Sequence, residues 1–221
     1  MIKDINVGSI TDEGYRPVIL KNLDRNINVE CRYYKTESKD KASAAIFVGG
    51  IGGGWDSPAR GLYSRLSIKL KDNKINSLRI RYRYPSNLEE SVIDILAGVE
   101  FITQNERISS IALVGHSFGG AVVISAASQV ANTIKTIVTL ATQSYGAEGI
   151  SRIREGSCSI LLLHGINDNT LPPYCSLYVY KNAKEPKQLV LYDKASHSLD
   201  EVSDRVFQKV YSWIVENLSK E

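Results

Sequence analysis

Cysteine is scarce in this sequence, and an excess of charge of one sign is missing. The 221 residues include three cysteines, Cys31, Cys158 and Cys175, which lie far apart and form no CxxC pair. An odd number of scattered cysteines indicates neither a disulfide framework nor a zinc site. The 27 basic and 24 acidic residues leave a net charge of +3, which is too small to predict a nucleic-acid-binding surface. We therefore expect no metal and no nucleic-acid partner.

Long apolar runs are missing as well. No stretch approaches the roughly 18 consecutive apolar residues of a membrane-spanning helix. The first ten residues, MIKDINVGSI, lack the apolar stretch and cleavage site of a signal peptide. We therefore expect a cytoplasmic protein without membrane contact. Because no linker-like segment or internal repeat divides the chain, we also expect a single domain over residues 1–221.

Short β-branched runs do occur, and they alternate with helical patterns. This alternation predicts an α/β fold with a mostly parallel sheet. Strands are predicted at residues 44–48, 75–82, 110–114, 136–141, 159–163 and 188–192, and helices at 60–70, 88–102, 119–130, 174–181 and 201–218. Three earlier runs, at 5–10, 18–20 and 27–34, follow one another without helices. They predict antiparallel strands at the start of the sheet.

A G-x-S-x-G pattern, Gly115-His-Ser117-Phe-Gly119, stands between a predicted strand and a predicted helix. This is the context of a nucleophile elbow, in which the glycines permit a tight turn that exposes the serine hydroxyl at the carboxyl edge of the sheet. The helix behind it offers unpaired N–H groups to an oxyanion. A glycine-rich turn without chemistry is the alternative. The flanking elements favour Ser117 as a nucleophile.

A serine hydroxyl needs a base to take its proton, and the sequence offers three histidines. His116 is built into the elbow, and His164 ends a predicted strand. His197 follows the last predicted strand and so emerges at the carboxyl edge, where ligands of parallel sheets bind. We therefore predict that His197 is the base. A solvated loop histidine is the alternative.

A carboxylate must fix the tautomer of that histidine. Asp168 follows the predicted strand at 159–163 and is expected in a loop at the same edge. Asp193 is better explained as a turn residue, and Asp200 as a cap of the last helix. We therefore predict Asp168 as the acid, which gives the chain order Ser, Asp, His.

A second glycine cluster, residues 49–54, follows the predicted strand at 44–48. Trp55 and Asp56 stand where a dinucleotide fingerprint or a P-loop would need glycine, lysine or a hydroxyl residue, so a nucleotide site is excluded. We expect that this backbone approaches the substrate, with the N–H of Ile51 joining that of Phe118 in an oxyanion hole. Trp55 is a candidate substrate contact. A flexible surface loop is the alternative.

Three arginines alternate near the end of the predicted strand at 75–82. The period of a strand places Arg79, Arg81 and Arg83 on one face. We expect acids of the following helix to pair with Arg79 and Arg81, because buried cations need partners. These acids are Glu89, Glu90 and Asp94. Arg83, at the carboxyl end, could instead bind a substrate carboxylate, with a purely structural role as the alternative.

Taken in order, these motifs resemble the α/β-hydrolase superfamily over residues 44–218. The resemblance implies an eight-stranded, mostly parallel sheet with helices on both faces, and no cofactor. It also implies the roles given above for the site residues, which are Ser117, His197, Asp168, Ile51 and Phe118. In one departure, Gly49 replaces the histidine that many members have before the oxyanion residue.

A second departure concerns the cap domain that members often insert before the strand that precedes the acid. Only residues 142–158, 17 in all, are available there. We therefore expect an open site without a cap, similar to compact serine esterases and dienelactone-hydrolase-like members, although dienelactone hydrolase itself has a cysteine nucleophile.

The sequence thus predicts a cofactor-free serine hydrolase that cleaves a carboxylic ester of a small acyl substrate. Thioesters and short peptides stay open, because the same groups act on them. A binding protein on the hydrolase scaffold is a second hypothesis, which the presence of all three predicted triad residues makes less favourable. The natural substrate stays open, and so does the choice between a monomer and a homo-oligomer.

Overall fold

The computed structural model describes residues 2–22, 24, 26–37, 43–130 and 133–219. Its nine strands form one sheet in the order β1-β2-β3-β5-β4-β6-β7-β8-β9. The strands are β1 (Asp4–Val7), β2 (Arg16–Asn22), β3 (Ile27–Tyr34), β4 (Ser43–Val48), β5 (Ile75–Arg81), β6 (Ile111–His116), β7 (Ile134–Leu140), β8 (Ser159–Gly165) and β9 (Lys187–Tyr192). The α-helices are α1 (Pro58–Lys69), α2 (Leu88–Glu100), α3 (Phe118–Ala127), α4 (Tyr174–Asn182) and α5 (Ser203–Leu218).

The direction of the strands divides the sheet into two parts. β1, β2 and β3 are antiparallel neighbours, and β3 is antiparallel to β5. From β5 to β9 every neighbouring pair is parallel. The predicted α/β class and antiparallel start are thereby confirmed. The resemblance implied eight strands, whereas β1 adds a ninth at the outer edge by pairing with β2.

The central strands are buried on both faces. Ile46 and Val48 of β4 pack with the helices α2, α3 and α4 on one face, whereas Ala45 and Phe47 pack with α1 and α5 on the other. All residues of β6 and β8 are buried. Burial on both faces explains why these strands appear in the sequence as continuous apolar runs. It also holds in place the carboxyl ends of these strands, after which the polar site residues follow.

The first turn of α1 is not α-helical. Ala59, Arg60 and Gly61 have positive φ angles of 50°, 53° and 76°. The N–H of Ala59 donates to the carbonyl of Ser198 at 2.7 Å, and the N–H of Arg60 donates to the carboxylate of Asp200 at 2.8 Å. The expectation that Asp200 caps the last helix is therefore wrong. Its carboxylate instead ties α1 to the segment that carries His197.

The three arginines do not share one environment, because β5 ends at Arg81 and the alternation of the strand stops there. Arg79 donates to the carbonyl of Trp55 at 2.8 Å, and Arg81 pairs with Glu30 of the neighbouring β3 at 3.0 Å. The prediction that acids of α2 pair with Arg79 and Arg81 is therefore wrong. Two of those acids, Glu90 and Asp94, bind Arg83 instead, since the chain turns towards α2 beyond the end of β5.

The segment between β7 and β8 contains one 3-10 helix, Glu148–Arg152. This is the place where related folds often insert a cap domain. Residues 142–158 form no such domain here, as expected. Among the described residues, no helix is both long enough and apolar enough to cross a bilayer.

Candidate active site

The turn from β6 into α3 has the geometry of a nucleophile elbow. Ser117, between the two elements, has a φ of 55° and a ψ of −120°. This left-handed backbone is strained for a residue with a side chain, and such strain is concentrated at functional sites. The fixed turn holds the hydroxyl of Ser117 at the carboxyl end of β6.

Three glycines make this turn possible. A Cβ on Gly115 would lie 2.1 Å from the carbonyl oxygen of Gly119, and a Cβ on Gly119 would lie 2.3 Å from that of Gly49. A Cβ on Gly120 would lie 2.3 Å from the hydroxyl of Thr142, just after β7. Any larger residue would push the elbow away from its neighbours, so these glycines set how closely α3 approaches the sheet.

The side chains of Ser117, His197 and Asp168 form one hydrogen-bonded chain. Nε2 of His197 lies 2.9 Å from Oγ of Ser117, and Nδ1 of His197 lies 2.7 Å from Oδ2 of Asp168. Because the carboxylate is an acceptor, Nδ1 carries a proton, and Nε2 is free to accept the proton of the hydroxyl. The structure therefore brings together the three residues that the sequence nominates, from three different loops.

Asp168 is held as an ionised acceptor. Its carboxylate is fully buried. Its Oδ1 accepts the N–H groups of Thr170 and Leu171 at 2.8 and 2.9 Å. Burial alone would raise the pKa of Asp168, but the hydrogen bonds from His197, Leu171 and Thr170 outweigh burial and hold the pKa below its usual value. The carboxylate is thus available to orient His197 at neutral pH.

His164 is a second partner of Asp168 that the sequence analysis did not identify. Its Nε2 lies 3.1 Å from Oδ2 of Asp168 and 3.0 Å from the carbonyl of Leu171, so Nε2 is a donor. Its Nδ1 lies 2.6 Å from Oγ of Ser176. Burial lowers the pKa of His164, against the opposing effect of Leu171 and Asp168, so the ring is neutral. The only signal in the sequence is a histidine four residues before the acid.

The glycine-rich loop after β4 lies directly against the elbow. A Cβ on Gly50 would be 3.4 Å from Cβ of Ser117. Gly53 and Gly54 have φ angles of 67° and 63°, which let the loop turn tightly beside the nucleophile. Ile51, which stands between Gly50 and Gly52, has an exposed side chain. The loop therefore stands where its backbone can reach a group bound at Ser117.

His116 and Asp56 connect this loop to the segment that carries His197. Nε2 of His116 donates to the carbonyl of His197 at 3.0 Å, and the two rings are 4.9 Å apart. Nδ1 of His116 is 3.8 Å from the carboxylate of Asp56, which also accepts the N–H of Gly50 at 3.3 Å. The imidazole of His116 holds the pKa of Asp56 below its usual value. In the sequence Asp56 marked only the failure of a P-loop pattern.

Trp55 and Arg83 have other partners than those expected at a substrate site. The guanidinium of Arg32 lies 4.4 Å from the ring of Trp55. Arg83 donates to Asp94 at 2.6 Å and to Glu90 at 2.8 Å. Its side chain is 10% exposed. These contacts favour the structural alternative for Arg83, because each of its guanidinium nitrogens already donates to a protein acceptor. The substrate contact of Trp55 stays a prediction.

Two further features bear on the site, namely the rival acid Asp193 and the side chains that can bind a metal ion. Asp193 is exposed in the turn that follows β9, as expected for a turn residue. Within the described ranges, no three histidine, cysteine, aspartate or glutamate side chains cluster in a way that would hold a metal ion.

Solved structures show which proteins share this architecture. The chain is similar to Est1E from Butyrivibrio proteoclasticus, with a TM-score of 0.76, 18% identity and coverage of 92% of this chain and 99% of that one. It is similar to the esterase domain of a Rhodothermus marinus protein, with a TM-score of 0.72, 19% identity and coverage of 98% and 100%. For dienelactone hydrolase from Anabaena variabilis the TM-score is 0.75, the identity 14% and the coverage 97% of both chains.

These similarities show the α/β-hydrolase fold, as the motifs predicted, over nearly the whole chain. No protein-family model matches the sequence, and no curated protein matches it in sequence. At identities of 14–19%, the shared fold does not carry a function with it. What this site does has to be argued from its own geometry.

Proposed function

We propose that this protein is a serine hydrolase that cleaves carboxylic esters of small acyl substrates through an acyl-enzyme on Ser117. The observation that carries the proposal is the hydrogen-bonded chain from Ser117 through His197 to Asp168, with distances of 2.9 and 2.7 Å. A nucleophile, a base and an orienting acid within hydrogen-bond reach are the requirements of covalent acyl transfer.

In the first half of the proposed reaction, the Oγ of Ser117 attacks the acyl carbonyl while Nε2 of His197 takes its proton. The imidazolium that forms is stabilised by the ionised, buried Asp168. His197 then gives the proton to the leaving alcohol oxygen as the ester bond breaks. Water attacks the acyl-enzyme in the second half, with His197 again as the base.

The developing oxyanion needs donors at a fixed place. Phe118 begins α3, so its N–H has no carbonyl partner within the helix and lies at the positive end of the helix dipole. In the proposed reaction the N–H of Ile51 is the second donor. The contact between Gly50 and Ser117 supports this assignment, because it brings the loop beside the nucleophile.

Two of the similar solved proteins are described as esterases, Est1E and the Rhodothermus marinus domain. This supports an ester substrate here. Thioester and short-peptide hydrolysis need the same groups and are the nearest alternatives. A non-catalytic binding protein is less favoured, because binding alone does not require a hydrogen bond between an imidazole and a serine hydroxyl on a strained backbone.

Labelling with a fluorophosphonate probe tests the proposal. The wild-type chain should be labelled, and Ser117→Ala should not. Ser196→Ala, which removes a serine beside His197 without touching the nucleophile, is a matched control and should still be labelled. An unreactive wild type that is folded by circular dichroism would support the binding protein. A screen of acyl esters, thioesters and peptides then separates the remaining substrate classes.

A further inference from the structure

Half of the large hydrophobic side chains that are exposed among the described residues lie at the edge of the sheet that carries Ser117. Among the described residues ten such side chains are exposed. Four of them lie in loops that leave the carboxyl ends of the parallel strands, and a fifth, Tyr174, begins α4 after such a loop. We define these five as the rim: Ile51 (60% exposed), Tyr84 (46%), Tyr145 (77%), Ile166 (45%) and Tyr174 (64%). Single exposed hydrophobic residues are ordinary, whereas a group of them beside a polar site indicates binding.

The first part of the rim is built by two loops that touch. A Cβ on Gly53 would lie 2.9 Å from Cγ of Pro85, so the loop that carries Ile51 packs on the turn that carries Tyr84. The ring of Tyr84 is placed by Arg83, whose guanidinium lies 5.4 Å from the ring centroid. These contacts hold Ile51 and Tyr84 on neighbouring loops beside the elbow.

The loop after β7 continues the rim. A Cβ on Gly146 would lie 2.5 Å from a methyl group of Leu88, the first residue of α2. This contact places the loop of Tyr145 against the start of α2, which follows the turn of Tyr84 in the chain. The N–H of Gln143, in the same loop, donates to the carbonyl of Ser117 at 3.4 Å. The side chain of Tyr145 therefore belongs to a loop that is anchored on the nucleophile itself.

The last part of the rim is the acid loop and the start of α4. Oγ of Ser144 lies 3.9 Å from Sγ of Cys175, which joins the loop of Tyr145 to the residue after Tyr174. Ile166 follows β8, two residues before Asp168, and its N–H donates to the carbonyl of Tyr192. The rim thus runs as a connected arc of loops from the oxyanion side of Ser117 to the acid.

We propose that this rim binds the aromatic part of the ester substrate, an inference that rests on the proposed function. Tyrosine offers a flat face that stacks on another ring and a hydroxyl that stays in contact with water. An open arc can cover one face of a planar group, whereas a long aliphatic chain needs an enclosing channel. The cation beside Tyr84 is already paired with Asp94 and Glu90, so the rim offers apolar surface rather than charge.

Two isomeric esters and one small ester test the inference. Methyl 3-phenylpropionate carries the ring on the acyl side, 2-phenylethyl acetate carries it on the alcohol side, and ethyl butyrate has no ring. We expect the wild-type kcat/KM to be about tenfold higher for one or both aryl esters than for ethyl butyrate. Since an aromatic pair contributes about 0.5–1.5 kcal/mol, Tyr145→Ala and Tyr174→Ala should each lower the preferred aryl kcat/KM by about 2- to 10-fold, through KM.

Three controls make the result specific. Tyr145→Phe should keep the aryl preference, because the stacking face is retained. Tyr178→Ala removes another exposed tyrosine of α4 that is outside the rim, and it should change nothing. Tyr145→Ala and Tyr174→Ala should lower the kcat/KM for ethyl butyrate clearly less than that for the preferred aryl ester.

Two results would overturn the inference. Equal kcat/KM for the three esters in the wild type is one, and equal losses on aryl and alkyl esters in the tyrosine variants is the other. Both leave the proposed function standing if hydrolysis of ethyl butyrate still depends on Ser117. A wild type that hydrolyses none of the esters and escapes the fluorophosphonate probe would overturn the function and the rim together.

Discussion

Two polar clusters lie at the same edge of the sheet, and each is centred on a buried carboxylate. In one, Asp168 holds His197, and His197 holds the hydroxyl of Ser117. In the other, Asp94 holds the guanidinium of Arg83 at 2.6 Å. Both carboxylates have fully buried side chains. Position in the fold and burial therefore do not distinguish a reactive cluster from a structural one.

The two clusters differ in whether they leave a functional group that can react with a substrate. Arg83 donates to Asp94, Glu90 and the carbonyl of Asn26, so each of its three guanidinium nitrogens already has a protein acceptor. The hydroxyl of Ser117 stands on a strained backbone, and its oxygen lies 2.9 Å from Nε2 of His197. A reactive site needs this remaining capacity, whereas a structural cluster is complete without a substrate.

The largest expected effect tests whether the Ser117 cluster acts as a unit. Ser117→Ala or His197→Ala alone should lower turnover of a p-nitrophenyl ester by several orders of magnitude, about 10⁵- to 10⁶-fold, because either loss removes the nucleophilic step. The double variant should be little worse than either single variant. Additive losses in the three kinetic measurements would show that the two residues do not share a step, and would reduce this cluster to a structural one.

A smaller effect separates the two candidate acids. Asp168→Asn should cost about 10⁴-fold in kcat, because the amide cannot hold His197 in the required tautomer. Asp193→Asn should leave kcat within about twofold, since surface substitutions are close to neutral. Both variants are checked for folding by circular dichroism. If the order of the two costs were reversed in folded proteins, Asp168 would have to be abandoned as the acid.

Much of the fold could be predicted because parallel strands buried on both faces are apolar throughout. β6 and β8 were recognisable for that reason. The edge strand β1 was predicted at 5–10 but ends at Val7, because a short, mostly exposed edge strand has little buried surface to fix its bounds. The left-handed turn at Ala59 gave no signal, because its partner Ser198 is distant in sequence.

The site shows the same division. Ser117, Asp168 and His197 are brought together as the motif order predicted, because each follows a strand of known direction. His164, His116 and Asp56 were not identified as partners. Their contacts depend on how loops fold beyond the strand ends. The period and spacing of the sequence predict which residues lie at this edge of the sheet, but they do not predict which hydrogen-bond partners those residues have there.

An intermediate effect is expected from His116, which supports the reactive cluster without reaching the nucleophile. His116→Ala removes the donor to the carbonyl of His197, and a small displacement of the base can cost about 10- to 100-fold in kcat with little change in KM. His116→Gln, whose amide can still donate, should recover part of the loss. A loss in His116→Ala that appears in KM alone, or no recovery in His116→Gln, would argue against this support.

The smallest expected effect on catalysis, together with a clear effect on stability, comes from the cluster of Arg83 and Asp94. Arg83→Met should change the kcat/KM ratio between an anionic ester and its neutral analogue by less than about twofold, because Arg83 is not free to bind either. If kcat/KM fell for the anionic ester alone, Arg83 would bind the substrate carboxylate, and its cluster could not be called purely structural.

Stability should respond to the same substitution, because Arg83→Met leaves the carboxylate of Asp94 buried without a counter-charge. The free energy of unfolding should fall by about 3–5 kcal/mol. Arg81→Met is the matched control, since the pair of Arg81 and Glu30 is about half exposed and should contribute about 1 kcal/mol or less. Burial raises the pKa of Asp94, and the variant loses the opposing side-chain hydrogen bond and charge of Arg83 while it keeps the hydrogen bond from the backbone N–H of residue 83. A carboxyl whose pKa is higher in the folded state than in the unfolded state binds a proton on folding, so lowering the pH through that range should restore part of the lost stability. Urea unfolding at several pH values measures this, and a loss of stability that does not depend on pH would show that Asp94 is not the group left unpaired.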